Sequence, residues 1–151
     1  MEWLKEMATN PYALTALGCW GTAQLIKLII NLVVHRKFVW ERIFGDGGMP
    51  SGHSATVTGL ATMIGLREGF GTVTFAIALI LCIVVCHDAM GVRQETGKQA
   101  MMLNEISRIL GSEDLPEIKL KELVGHTPLQ VVAGILLGLG AACLMHFVIL
   151  G

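Results

Sequence analysis

Four apolar stretches, at about residues 11–34, 51–66, 70–89 and 127–150, set the limits on what this chain can fold into. At a rise of about 1.5 Å per residue, the first and last exceed a hydrocarbon core of about 30 Å and the middle two approach it. The Arg67-Glu68-Gly69 break between the middle pair has room only for a tight hairpin, so the second helix is expected to be short or partly sunk in the protein. Composition agrees with a lipid solvent. The chain is 53% hydrophobic and 15% charged, with a mean hydropathy of +0.63, whereas a soluble domain needs roughly 25% charged residues to keep its surface wetted. The fold class expected is all-α, a polytopic membrane helical bundle of about four transmembrane helices, and 151 residues allow one domain over 1–151.

Between the third and fourth stretches, residues 91–125 are too polar to cross. Within them Ala100, Met101, Leu103, Ile106, Ile109 and Leu110 recur at helical spacing, with Glu105 and Arg108 elsewhere on the turn, which predicts an amphipathic surface helix. Residues 111–117 then read as a loop and 119–122 as a short charged approach to the last helix. An even number of crossings places both long polar loops on one face. That face carries Arg36, Lys37, Arg42, Arg93, Lys98, Arg108, Lys119 and Lys121, against Lys5 and Arg67 opposite. The positive-inside tendency makes the loop face cytoplasmic, in an integral protein of the plasma membrane.

A net charge of −1 provides no basic field for nucleic acid. Residues 1–6 lack a basic region leading into an apolar core, so no cleaved leader is expected. Cys19, Cys82, Cys86 and Cys143 all lie in apolar runs, where a thiol packs as a small side chain and no disulfide is expected. Cys82, Cys86 and His87 have two readings, a metal site or one turn of packing, and a closed zinc site needs four ligands. Gly134, Gly138 and Ala142 form a small-residue stripe that either packs within the chain or makes the seam of a homo-oligomer.

The first stretch carries Gln24, Lys27, Asn31 and His35 at spacings of three, four and four, hence on one side of a helix. Polar groups in a spanning helix are expensive unless they face a cavity or partner, so this side should point inward. The second stretch opens with Gly47-Gly48-Met49-Pro50-Ser51-Gly52-His53-Ser54. Pro50 suits a first-turn position that needs no donor, and the glycines let backbone approach a ligand. A helix start with free N–H groups binds anions, and His53 adds a group that exchanges protons near neutral pH. The third stretch ends in His87-Asp88-Ala89-Met90-Gly91-Val92-Arg93, and the fourth follows Gly125-His126-Thr127-Pro128-Leu129-Gln130. In a four-helix bundle all four ends lie at one level, so Lys27, Arg36, His53, Asp88, Arg93 and His126 can surround one pocket. Two histidines among cations suit phosphate-ester chemistry, one attacking or orienting and the other protonating the leaving oxygen.

These motifs carry a resemblance over nearly the whole chain. Lys27 with Arg36, the GMPSGHSA run at 48–55, Asp88-Ala89-Met90-Gly91-Val92-Arg93 followed by Gln99-Ala100 and Leu103-Asn104, and Gly125-His126-Thr127-Pro128 together resemble the divergent PAP2 family, small membrane proteins related to acid phosphatases and vanadium haloperoxidases. The resemblance implies a PAP2-like helical core and removal of phosphate from a lipid phosphate substrate through a phosphohistidine, with no cofactor and no metal. Carried over by motif, Lys27 and Arg36 bind phosphate, Ser51, Gly52 and His53 supply backbone donors and the general acid, His126 is the nucleophile, and Arg93 completes the clamp. The chain departs from the standard pattern. Lys27 and Arg36 are nine positions apart where seven is standard, and no proline follows Arg36. Leu120 stands where an arginine precedes the nucleophile by six, and Gln130 where an aspartate orients it; Asp88 is the candidate to take over that role.

Two alternatives remain open from the residues. Asp88, Glu95, Asn104 and Glu105 can ligate magnesium or calcium through oxygen, or simply solvate helix surfaces. The same pocket can also grip an anionic headgroup without hydrolysis, as a lipid-binding or transport protein.

Overall fold

A computed structural model gives the architecture and describes residues 1–35, 48–110, 120 and 124–150. Arg36 and residues 119, 121 and 122 of the charged approach lie outside the described residues, as does the expected loop at 111–117; so does the side chain of His35. The chain is helical, and no strand occurs among the described residues. In order it forms α1 (Glu2–Ala8), α2 (Pro11–His35), α3 (Gly52–Glu68), α4 (Val73–Met90), α5 (Val92–Leu110) and α6 (Pro128–Leu144), which runs on into a π-helical segment, Met145–Leu150.

The helix starts are written in single residues. Asn10 Oδ1 accepts the N–H groups of Tyr12 and Ala13 and opens α2. The Ser51 hydroxyl accepts from Ser54 N and opens α3. The Thr72 hydroxyl accepts from Phe75 N and opens α4. Thr127 and Gln130 form a reciprocal capping box at the start of α6, with Pro128 in its first turn, where a missing N–H costs nothing. Pro50 differs from expectation. It precedes the Ser51 cap and lies outside the first turn, following a cis Met49–Pro50 bond.

Stretches long and apolar enough to cross a membrane occur at Pro11–Val33, within Val73–Ile109 and at Pro128–Ile149. The fourth core helix, α3, has 17 residues and spans about 25 Å, short of the hydrocarbon thickness. It is the axis of the bundle. α3 packs against α2, α4 and α6, and its Ser54, Ala55, Thr58, Gly59, Ala61, Met63, Ile64 and Gly65 are buried. With protein on three sides, a helix this short need not reach water at both ends.

Side-chain sizes sort in the sense lipid requires. The buried core is made mostly of small groups, Cys19, Ala23, Ala55, Ala61, Ala78, Cys86, Ala89, Ala100 and Ala142, with Met63, Ile64 and Val131 as its larger members. The large apolar side chains, such as Leu25, Ile29, Ile80, Ile83, Leu136 and Phe147, point outward. No hydrophobic force drives helices together in lipid, so close approach of small residues must do it. Gly134 and Gly138 of α6 supply the closest approach. A β-carbon on Gly138 would stand 2.5 Å from Ala55 O and 2.9 Å from Gly59 N, and one on Gly134 would collide with Ser51 O. The small-residue stripe is therefore spent inside the chain, against α3. Cys82 and Cys86 likewise pack, Cys86 with Ala89 and Val131 and Cys82 beside Thr58 Oγ1 at 3.3 Å. All four thiols are free.

α5 begins earlier than the apolar spacing suggests. Only Gly91 separates it from α4, and it continues to Leu110 with Met101, Leu103, Ile106 and Ile109 exposed. α1 was not anticipated from the sequence; seven residues carry too short a period to read.

Candidate functional site

The site is built at the start of α3. Ser51 is fully buried there, and its hydroxyl accepts from both Ser54 N (3.3 Å) and Ser54 Oγ (3.0 Å). Its own N–H donates to Gln130 O at 2.9 Å. Ser51 thus differs from the expected backbone donor to a ligand: it is the cap that ties α3 to α6. The same juncture holds His126, whose N–H donates to Ala89 O at 2.9 Å and pins the Gly125-His126-Thr127-Pro128 run to the end of α4. Gly125 makes this possible in two ways. Its φ of +87° is one that side chains rarely adopt, and a β-carbon there would stand 2.5 Å from Gln94 N and 2.8 Å from the Arg93 carbonyl carbon.

The His53 and His126 rings face each other edge to face, with centroids 6.2 Å apart. His126 is 2% exposed. Its Nδ1 lies 3.2 Å from Gln130 Oε1, and that oxygen also accepts Thr127 N–H at 3.1 Å. Above Gly52, the Lys27 Nζ is 3.9 Å from where a β-carbon would stand, beside Gln24 Nε2 at 3.8 Å and Trp20 Cδ1 at 3.6 Å. Glycine at 52 keeps open the space between a helix start and an ammonium group, both of which attract anions. Lys27 lies eight residues before the end of α2, so the start of α3 is about 12 Å below that end. Asn31, one turn beyond Lys27, is buried on the same side of α2.

Asp88 and Arg93 flank this centre as an ion pair, Arg93 Nε to Asp88 Oδ2 at 2.9 Å. Asp88, the candidate to orient His126, thus pairs with Arg93, and the side chain beside His126 Nδ1 is Gln130. The oxygen set considered for magnesium or calcium does not converge. Glu95 pairs with Lys98 at 2.6 Å and Glu105 with Arg108 at 2.7 Å. Asn104 grips the backbone of Leu120, accepting its N–H at 3.0 Å and donating to its carbonyl at 2.9 Å. Among the described residues no three His, Cys, Asp or Glu side chains gather as a metal site would require.

Lys27, Gly52, His53 and His126 therefore meet, with Asp88 and Arg93 joined to them through Ala89 and Gly125. Arg36 lies outside the described residues. Trp20 and Gln130 were missed as contributors, although both had a signal. Trp20 continues the Gln24–Lys27–Asn31 side of α2 by one turn, and Thr127-Pro128-Leu129-Gln130 is a capping-box pattern.

The ends do not all lie at one level as expected: the start of α3, the end of α4 and the start of α6 meet beside the body of α2. A helical membrane bundle with paired histidines, a lysine and a glycine-rich helix start at that meeting defines a PAP2-like membrane protein. The model of the divergent PAP2 family matches residues 8–141, and the chain belongs to that family. It is 38% identical over 146 residues to the uncharacterized membrane protein YuiD of Bacillus subtilis (strain 168), an alignment that covers 89% of this chain and 92% of that protein. No solved structure gives a significant match.

Proposed function

We propose that this protein is a phosphomonoesterase that removes phosphate from a membrane lipid, with His126 as nucleophile and His53 as general acid. The observation that carries this reading is the pairing of the two rings at 6.2 Å, beneath the lysine at the start of α3. Rings this close can both reach a phosphate bound beside them, one to attack phosphorus and the other to protonate the leaving oxygen. The His126 Nε2 lone pair attacks phosphorus, and the bond from phosphorus to the lipid oxygen breaks. The electron pair leaves on that oxygen, which takes a proton from His53. Water then attacks the phosphohistidine, giving its proton to His53, and the P–N electron pair returns to Nε2. The products are a lipid alcohol and inorganic phosphate.

Lys27, Gly52, Arg36 and Arg93 hold the phosphate oxygens in this scheme, and Asp88 fixes the Arg93 guanidinium. These cations and the helix start supply the charge compensation, so the reaction calls for no cofactor. A lipid suits the mouth because it lies between helices whose outer faces are apolar. On the topology expected from an even number of crossings, Arg93, Lys98 and Arg108 share the site's face and Lys5 and Arg67 the other, which favours the cytoplasmic leaflet of the plasma membrane. A homo-oligomer would need a surface other than the glycine stripe.

The test uses the full chain in lipid nanodiscs doped with phosphatidate, phosphatidylglycerophosphate or a polyprenyl phosphate. Inorganic phosphate should appear with one of them, and His126→Ala or His53→Ala should lower the rate by about 10²-fold or more. Full activity in both variants would overturn the assignment. A second reading, a protein that binds an anionic headgroup without cleaving it, is favoured by the neutral amide at 130. It expects no phosphate release from the parent and headgroup binding that survives His126→Ala.

A further inference from the structure

Gln130 joins three parts of the site, Ser51, Thr127 and His126. Its backbone carbonyl accepts Ser51 N–H at 2.9 Å, and its own N–H donates to Thr127 Oγ1 at 3.4 Å. Its Oε1 accepts Thr127 N–H at 3.1 Å and lies 3.2 Å from His126 Nδ1. A backbone N–H can only donate, so the amide atom that faces Thr127 must be the oxygen and the side chain cannot be flipped. An amide oxygen can only accept, so the hydrogen between it and His126 belongs to Nδ1. In the neutral ring the lone pair then lies on Nε2.

We propose that Gln130 is a positioning residue that locks neutral His126 as the Nδ1–H tautomer, through the α6 capping box and without charge. The inference rests on His126 as the nucleophile for its purpose, but not for its test. A carboxylate at 130 would accept the same two hydrogen bonds and would also stabilise the imidazolium by its charge, drawing the ring toward a form with no lone pair to give. The amide does the first and not the second. Its orientation comes from Thr127, so the helix cap and the choice of tautomer are one device. Because the same residue's carbonyl holds Ser51, the nucleophile and the mouth of α3 are set relative to each other by a single side chain and its backbone.

The experiment is imidazole 15N NMR on the full chain, labelled at histidine and held in nanodiscs, with the His126 resonances identified by their loss in His126→Gln. In the pH range where the ring is neutral, Nδ1 should be the protonated nitrogen. Gln130→Leu should shift the ring toward the Nε2–H form and lower kcat by about 10²-fold or more with KM little changed. Gln130→Glu should keep the Nδ1–H tautomer and hold the imidazole proton to a pH higher by about one unit or more. An Nε2–H ring in the parent, or an Nδ1–H ring unchanged in Gln130→Leu, overturns the proposal. If Gln130→Leu does not fold, the parent and Gln130→Glu spectra decide it. Phosphate release is not needed for the tautomer readout, so a parent that releases none refutes the phosphatase reading and leaves the lock to be judged by NMR alone.

Discussion

Gly134→Ala should damage the site from the side opposite its chemistry. A β-carbon at 134 would collide with Ser51 O and stand 3.0 Å from Ser54 Cβ and 3.2 Å from Ser51 Cβ. The clash is with backbone at the buried start of α3, so α3 and α6 must part by about 1 Å to reach ordinary contact. Overpacking of that kind costs about 1–3 kcal/mol. The same movement stretches the 2.9 Å bond from Ser51 N to Gln130 O out of range, a further loss of about 1 kcal/mol. Alanine regains about 1 kcal/mol of helix propensity over glycine, which leaves a net loss of about 1–3 kcal/mol. For a chain of this size that is a fall in Tm of about 3–10 °C. The rate should suffer more than the fold, because a displacement of 1 Å between His53 on α3 and His126 ahead of α6 costs about 10²-fold. The assay is a thermal melt in nanodiscs beside phosphate release, with Gly140→Ala as control, since a β-carbon at 140 meets nothing within 4 Å. A Gly134→Ala protein that melts within a degree of the parent at full activity would show that this approach positions nothing.

Gly52→Ala separates binding from folding. Its nearest neighbours at 3.6–3.9 Å are in ordinary contact range, so Tm should hold while the added methyl blocks phosphate from Lys27 and raises KM about tenfold or more; an unchanged KM counts against Gly52 as the approach. Asp88→Asn breaks a pair whose side chains are 37% and 42% exposed, which is worth about 0.2–1 kcal/mol. Stability should barely move and KM should rise as Arg93 loses its tether, whereas a collapse of kcat to the His126→Ala level would mean that Asp88 serves the reaction directly. EDTA should leave phosphate release unchanged, because Asp88, Glu95 and Glu105 are already paired with cations; a tenfold loss restored by magnesium would reverse that expectation.

What the sequence made legible follows from which patterns are one-dimensional. The apolar runs marked α2, α3, α4 and α6 to within a few residues, because hydropathy and the Arg67-Glu68-Gly69 break are local. Topology placed His53 and His126 at one end of the bundle, since α4 must end where α3 begins and α6 starts, but the depth at which α3 meets Lys27, well inside the end of α2, was not legible. Pairwise reach was not legible. Asp88 is the partner of His126 that the sequence suggests, whereas Gln130 is the one that meets it, and the choice depends on Asp88 pairing with Arg93 and on the direction of one amide. Those are facts of side-chain geometry across helices. The capping box was written in the sequence, but it reads as a helix start; only its contact with His126 gives it a second meaning.

The shortness of α3 and the position of the site are the same fact. A helix that spanned the full bilayer would carry its N-terminal N–H groups out to water, where they bind anions weakly against solvent competition. α3 begins level with Lys27, about 12 Å inside the end of α2, and its first turn is buried. A helix start at that depth must satisfy its donors with protein, and two of them are met by Ser51's own oxygens, while Ser51 N–H goes to Gln130. The remaining positive end lies under an ammonium group in a low-dielectric surround, where an anion would be held far more strongly than at an exposed helix tip. The glycines at 134 and 138 are what let α3 stop there: they bring α6 close enough for Gln130 to close the cap that water would otherwise have to make.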